Sequence, residues 1–219
     1  KRYLWGWLRS VEGYFDSESE DFMVTGKPGP LGFPTPTGKF ELWSTVLESY
    51  PADTQGVERE VGLEDDYLAA LPIVREPYES PYQTPEVYEE YPLIMTTGHR
   101  NPLYFHSEGR QQPYMRELYP VPHFQIHPDT AAQLGIEQGD WCWIESRRGR
   151  VRETADLFAG IDPRIIEADH GWWYPELPAP KHGWDLSNVN VLVDQYAQDP
   201  VLGSTTLRAY LVKVYKATP

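Results

Sequence analysis

Apolar positions in this chain come in two textures that meet near Tyr91. Downstream of it, apolar runs of five to nine residues alternate with turn signals, at 93–97, 123–127, 141–146, 150–158, 164–168 and 207–215. Runs of this length bounded by Gly, Pro and polar clusters read as strands. Residues 150–158 repeat roughly at Val151, Thr154 and Leu157, and 207–215 more cleanly at Leu211, Lys213 and Tyr215, the period of a half-buried strand. Arg147, Arg148 and Gly149 sit between two runs and read as a hairpin turn. One helix is well signalled: Pro128 and Asp129 open its first turn and Gly135 can take the left-handed closing position. Six or so strands with one small helix predict a mainly β fold, a closed barrel of about 125 residues spanning 91–219.

Upstream the pattern is different. Residues 1–51 are aromatic and turn-rich, with Trp5, Trp7, Tyr14 and Phe15 followed by proline and glycine clusters at 26–30 and 34–38. That punctuation leaves room for a short helix at 39–50. Residues 51–90 carry Pro51, Pro72, Pro77, Pro81 and Pro85 and read as an extended strap against a partner surface, with one helical turn around 64–70. The expected division is therefore 1–90 as an extended acidic linker and 91–219 as the barrel.

Charge sharpens this division. Residues 1–90 hold 7 Lys and Arg against 18 Asp and Glu, and residues 91–219 hold 12 against 15, so nearly all of the net charge of -14 lies in front. Such a surface excludes wrapping the phosphates of DNA or RNA, which requires clustered cations. A small anionic ligand stays possible, since a few backbone N–H groups and one cation can hold a pyrophosphate whatever the overall sign. The single cysteine, Cys142, excludes an internal disulfide and a multi-thiolate zinc or iron–sulfur site in this chain. It lies between Trp141 and Trp143 and is expected to be a plain core residue. No run approaches the ~20 apolar residues of a membrane span, so no membrane insertion is expected. A start at Lys-Arg-Tyr without Met reads as a piece of something longer.

Five blocks, taken in order, carry a resemblance. They are Leu93, Ile94, Met95, Thr96, Thr97, Gly98, His99 and Arg100; the run 104–111 with Tyr104, His106, Ser107 and Gly109; Ile126, His127, Pro128 and Asp129 through Gly135 and Gly139; Ser146 to Gly149; and Asn188 through Leu192 with Asp199 and Pro200. Each alone is weak, but their order resembles the molybdopterin-dinucleotide-binding domain that ends enzymes of the dimethyl sulfoxide reductase family. The block His170, Gly171, Trp172, Trp173, Tyr174, Pro175 and Glu176 further resembles the branch containing acetylene hydratase and thiosulfate reductase relatives. The resemblance implies a double-psi β-barrel holding a bis(pyranopterin guanine dinucleotide) cofactor of molybdenum or tungsten. It places the metal ligand and an iron–sulfur cluster in upstream domains of the same polypeptide, implies an electron-transfer subunit as a possible partner, and implies that this chain alone is inactive.

By the same resemblance the loop of Thr96, Thr97, Gly98, His99 and Arg100 and the loop of His106, Ser107 and Gly109 hold the dinucleotide. The chemistry is apt: a glycine lets a ligand approach the backbone, hydroxyls add donors, and arginine offers a fork for phosphate. An ordinary strand-ending turn with a surface arginine would look the same. His99 and His106 lack the companions of a metal site. An asparagine amide can donate to and accept from a pterin edge at once; Asn190 fits better than Asn188, yet in an extended segment the two share a face, and either could simply cap a turn. Arg208 opens the last strand, where the resemblance places a cation near the cofactor, though a lone cation there is often solvated. The aromatics of 170–176 either cover a barrel edge or line a substrate route.

Two rivals follow from the residues alone. A stand-alone hydrolase using a histidine with Asp169 or Asp194 lacks a nucleophile elbow or a metal pair at helical spacing. With 8 Trp and 15 Tyr, a free-standing β-barrel module that stacks carbohydrate or peptide is the stronger alternative.

Overall fold

The computed structural model of the chain describes residues 13–16, 21–24, 40–44, 76–98, 101–196, 204–206 and 208–217. Two compact units divide it, residues 1–74 and 75–219.

In the first unit, β1 (Gly13–Asp16) and β2 (Asp21–Val24) form an antiparallel hairpin. Residues 40–44 are irregular with a bend at Leu42 and Trp43, so the front of the expected helix at 39–50 is not helical. A helix of that length is marginal without a packed face. The remainder of that expectation, and the helical turn at 64–70, lie outside the described residues.

The second unit is built on six strands: β3 (Leu93–Thr96), β4 (His123–Ile126), β5 (Trp141–Ser146), β6 (Gly149–Leu157), β7 (Ile165–Ala168) and β8 (Tyr210–Lys216). They close into a barrel in the order β3-β7-β4-β6-β5-β8, with β8 returning to β3. Pairs β3–β7 and β4–β6 are parallel and the others antiparallel, a closed mixed barrel in keeping with the double-psi expectation. Every expected strand is present to within a few residues. The hairpin turn is the two-residue loop Arg147 and Arg148, with Ser146 paired to Gly149.

Alternate residues supply the core. Leu93, Met95, Phe124, Ile126, Cys142, Ile144, Ile166 and Ala168 face inward from four strands, each almost wholly buried. On β6 the inward face is Val151, Glu153 and Ala155 with Leu157 packed partly buried beside them, so of the expected Val151, Thr154 and Leu157 only Thr154 lies on the other face. An apolar count passes over Glu153, because a carboxylate is not expected in a core. On β8 the inward set is Tyr210, Val212 and Val214, the opposite face from the one Leu211, Lys213 and Tyr215 occupy. Cys142 is a buried free thiol pushed up to about 12 by desolvation and then by Asp140, as a core residue should be.

Two helices matter for the barrel's ends. The segment before the barrel contains α1 (Pro85–Glu90), where proline density pointed to extended chain; Pro85 occupies the first turn, the one helical position where proline is welcome. Glu90 of α1 pairs with Lys213 of β8 at 3.1 Å. After α2 (Pro113–Leu118) and β4 comes α3 (Pro128–Gln133). Its N-terminus is capped by His127 Nδ1 accepting from the Asp129 N–H at 3.2 Å, and Gly135 follows its C-terminal turn at φ +69°. Its Ala131, with Ile136 beyond, plugs the end of the core.

Phe124 is fully buried at the centre of this cluster, so Phe124→Ala should cost about 3 to 5 kcal/mol. Denaturant unfolding checks this; a loss below about 1 kcal/mol would mean that the barrel interior is not the core.

Candidate functional site

Strand register determines which ends of the strands meet. Thr96 at the end of β3 lies beside Glu167 near the end of β7, and Met95 lies opposite Tyr210 at the start of β8. Phe124 at the start of β4 pairs with Ala168, and the β5–β6 turn lies toward the start of β8, since Glu145 pairs with Lys213. The end of β3, the end of β7, the β5–β6 turn and the entry to β8 therefore share one rim. Each candidate residue that the structure describes lies on or just beyond these four places; His99 and Arg100 lie outside the described residues.

A first cluster joins Thr96, Thr97 and Gly98 to Arg208. A Cβ built on Gly98 would lie 3.5 Å from Glu167 Oε1 and 3.9 Å from Arg208 Cζ, so the two segments are neighbours across the rim. Those are ordinary contact distances. No close contact within the protein therefore demands a glycine at this position.

A second cluster joins the His106 loop to the residues after β7. His106 has a left-handed backbone, φ +49°, and its Nδ1 is 2.9 Å from His170 Nε2. Trp173 Nε1 donates to the Ser107 carbonyl at 2.7 Å. Gly171, at φ +70°, lets the chains touch: a Cβ there would lie 2.9 Å from the His106 carbonyl carbon. Gly109 has a backbone task of its own, taking φ +84° with Met115 Sδ 3.0 Å from where a Cβ would be.

The third cluster is the Asn188 and Asn190 segment. It is not extended: Val189–Leu192 forms a 3₁₀ turn, so the two asparagines do not share a strand face. Asn188 Oδ1 accepts from the Asn190 N–H at 3.1 Å and caps that turn, while the Asn190 side chain is exposed. Contacts with the β5–β6 turn hold the segment in place. Ser146 Oγ donates to the Leu192 carbonyl at 3.3 Å, Arg148 reaches Asp194 at 2.7 Å, and a Cβ on Gly149 would lie 2.9 Å from Val191 Cγ1.

Several important residues were missed by sequence reasoning. Arg148 also donates to Glu79 at 2.6 Å, so it ties the segment before the barrel to the asparagine turn; burial opposes its charge, but the bonds it donates to Glu79 and Asp194 raise its pKa nonetheless. Arg110 is only 2% exposed and sits in the corner formed by the edge-on Tyr104 and Trp172 rings, 4.1 Å from the first and 4.7 Å from the second. Desolvation pushes its pKa down. The signal for Arg110 was present in principle, a cation inside an aromatic-rich loop. The aromatics Tyr104, Trp172 and Tyr174 form a buried satellite core, which is the edge-covering role.

Beneath the rim lies a buried polar group. Asp169 accepts from the Tyr119 hydroxyl at 2.8 Å and from the His123 N–H at 3.0 Å, and its own N–H donates to Glu153 Oε2 at 3.2 Å. Desolvation, then the charge of Asp169, raises the Glu153 pKa well above the usual carboxylate range. Burial raises Tyr119 as well, and lowers His123 against the pull of Asp169. His123 Nδ1 is satisfied at 2.7 Å by Thr154 Oγ1.

Comparison with known proteins identifies the family. The family described as "Molydopterin dinucleotide binding domain" matches residues 93–210. A dopamine dehydroxylase of Eggerthella lenta is 47% identical over 222 positions, covering all of this chain and 20% of that protein. Acetylene hydratase of Syntrophotalea acetylenica is 32% identical over 86% of this chain and 25% of its own length. The solved acetylene hydratase from Pelobacter acetylenicus superposes with a TM-score of 0.70 at 30% identity, over 90% of this chain and 26% of that one. The chain belongs to the molybdopterin dinucleotide-binding domain family of the dimethyl sulfoxide reductase-type enzymes. Its role is cofactor binding, and these relatives give no support to a free-standing carbohydrate or peptide module. The chain spans about a fifth to a quarter of the length of these relatives.

Because Glu153 keeps its proton in the fold above the pH at which an unfolded chain releases it, stability should fall as pH rises past the ordinary glutamate range. Glu153→Gln keeps an acceptor for the Asp169 N–H and cannot ionise. Thermal unfolding at pH 5 and pH 8 should show the parent losing more stability than the variant on going up; identical pH dependence would refute the assignment.

Proposed function

We propose that the rim binds a molybdopterin guanine dinucleotide, and that the chain serves as the cofactor-holding part of a longer molybdenum- or tungsten-dependent oxidoreductase. In that reading residues 1–90 lie against other parts of the same polypeptide, an iron–sulfur cluster and the metal ligand come from outside this chain, and an iron–sulfur electron-transfer subunit is a further partner. The observation that carries it is the gathering of exposed Gly98, His106, Ser107, Asn190 and Arg208, from four separated segments, at one end of the barrel.

The donor set suits the ligand. Gly98 offers backbone that a diphosphate can approach closely, beside the hydroxyls of Thr96 and Thr97 and the guanidinium of Arg208. Glu167, 3.5 Å from the Gly98 Cβ position, is an acceptor for ring N–H groups and repels phosphate, which directs the diphosphate toward the Arg208 side of Gly98. The exposed amide of Asn190 can donate to and accept from one heterocycle edge. Asn188 is committed to its cap, which favours Asn190 as the contact. When bound, the cofactor supplies the dithiolene ligation at which the metal's redox chemistry takes place; the residues of this chain bind it, orient it and keep it from solvent.

Each contact is worth about 0.5 to 1.5 kcal/mol, so no single change should empty the site. In the intact protein Asn190→Ala and Arg208→Ala should each lower dinucleotide retention by about twofold to tenfold, and together roughly multiplicatively. Mass spectrometry of the guanine nucleotide and pterin released on denaturation measures this. Full retention in the double variant would count against the rim as the site.

A further inference from the structure

His106 is exposed, yet its ring is not free to turn. One nitrogen, Nδ1, is 2.9 Å from His170 Nε2, and the two ring centroids stand 5.0 Å apart at 62°. The backbone of His106 is left-handed at φ +49°, a conformation costing a non-glycine residue on the order of 1 kcal/mol, tolerated where surrounding contacts impose it. Those contacts come from Gly171 against the His106 carbonyl and from Trp173 Nε1 donating to the Ser107 carbonyl.

His170 in turn is fixed from behind. Arg110 Nη2 donates to the His170 carbonyl at 3.3 Å, and Arg110 is itself buried in the corner of the Tyr104 and Trp172 rings. A guanidinium packed against two rings and 2% exposed is a costly group to bury for a surface loop alone. Its cost becomes intelligible if the loop it secures must hold a ring in one orientation.

We infer that His170 is a positioning residue: it occupies Nδ1 of His106 so that His106 meets the bound dinucleotide through Nε2 alone. The inference rests on the rim being the cofactor site and deepens that reading. It follows from imidazole chemistry, because a ring with one nitrogen engaged has a single remaining nitrogen and a single orientation in which to use it. Buried Arg110 and left-handed Gly171 set the distance between the two rings, and His170 uses that distance to orient His106.

Substitution of His170 in the intact protein tests this, with dinucleotide retention read by mass spectrometry after gel filtration. Glutamine reaches about as far as Nε2 and can hydrogen-bond Nδ1; leucine fills similar space and cannot. His170→Leu should lower retention about threefold to tenfold, matching His106→Ala, while His170→Gln should stay near the parent. In a His106→Ala background, His170→Leu should add nothing further, since its effect passes through His106. If His170→Leu does not fold, by its melting curve, His170→Met is used in its place. Equal losses for Gln and Leu, undiminished retention in His170→Leu, or an added loss in the His106→Ala background would each overturn the inference. The two readings separate cleanly: retention lost in Asn190→Ala with Arg208→Ala but unchanged in His170→Leu defeats only this inference, whereas retention unchanged in all of them defeats the rim as well.

Discussion

The pairing of β3 with β8 closes the sheet, and the geometry of the rim depends on that closure. Leu93, Ile94 and Met95 lie opposite Val212, Leu211 and Tyr210, joining the first strand of the barrel to the last. An open sheet would leave Gly98 and Arg208 at opposite edges, each with an unpaired backbone ladder. Closure instead brings them within a few ångströms, and the parallel partner β7 adds Glu167 on the other side of Gly98. The long sequence separation of these groups is thus converted into local chemistry by hydrogen bonds that involve none of their side chains.

Below that rim the protein carries polar groups that a barrel core does not need for stability. Glu153 faces inward from β6 beside Val151 and Ala155, and Asp169 collects bonds from Tyr119 and His123. Such groups are costly where a partner is missing, as at Glu153 Oε1, and where partnered, as at Asp169, they favour one arrangement of the loops above them. Tyr119 follows α2, His123 opens β4 and Asp169 follows β7, so a single carboxylate ties both ends of the α2–β4 connection to the segment after β7. Arg148 does the same on the other side, joining Glu79, Asp194 and the β5–β6 turn. The loops that carry the exposed donors are held by this buried polar framework rather than by apolar packing alone.

Much of the architecture was legible in the sequence because strand runs, the Arg147 and Arg148 turn and the α3 start are local signals. The faces of β6 and β8 were not, since the inward set on one includes a glutamate and the other is buried on both sides at Leu211 and Val212. The asparagine segment looked extended because Val-Asn-Val-Leu has strand composition; its 3₁₀ turn is imposed by Asn188 capping and by Val191 lying on Gly149. On the rim, the candidate residues were found by their order along the chain. Their partners, His170, Arg110 and Arg148, depend on tertiary distance, and an alternation pattern contains no information about which two loops will touch.

The fold and the family membership make a cofactor-holding role plain, and the open question is where on the barrel the ligand lies. An experimental structure of the intact protein isolated with its dinucleotide decides it most directly. The account predicts the diphosphate within hydrogen-bond reach of the Gly98 backbone, with Arg208 and Asn190 facing the same ligand. A dinucleotide bound away from this rim, with these residues covered by protein instead, would contradict it.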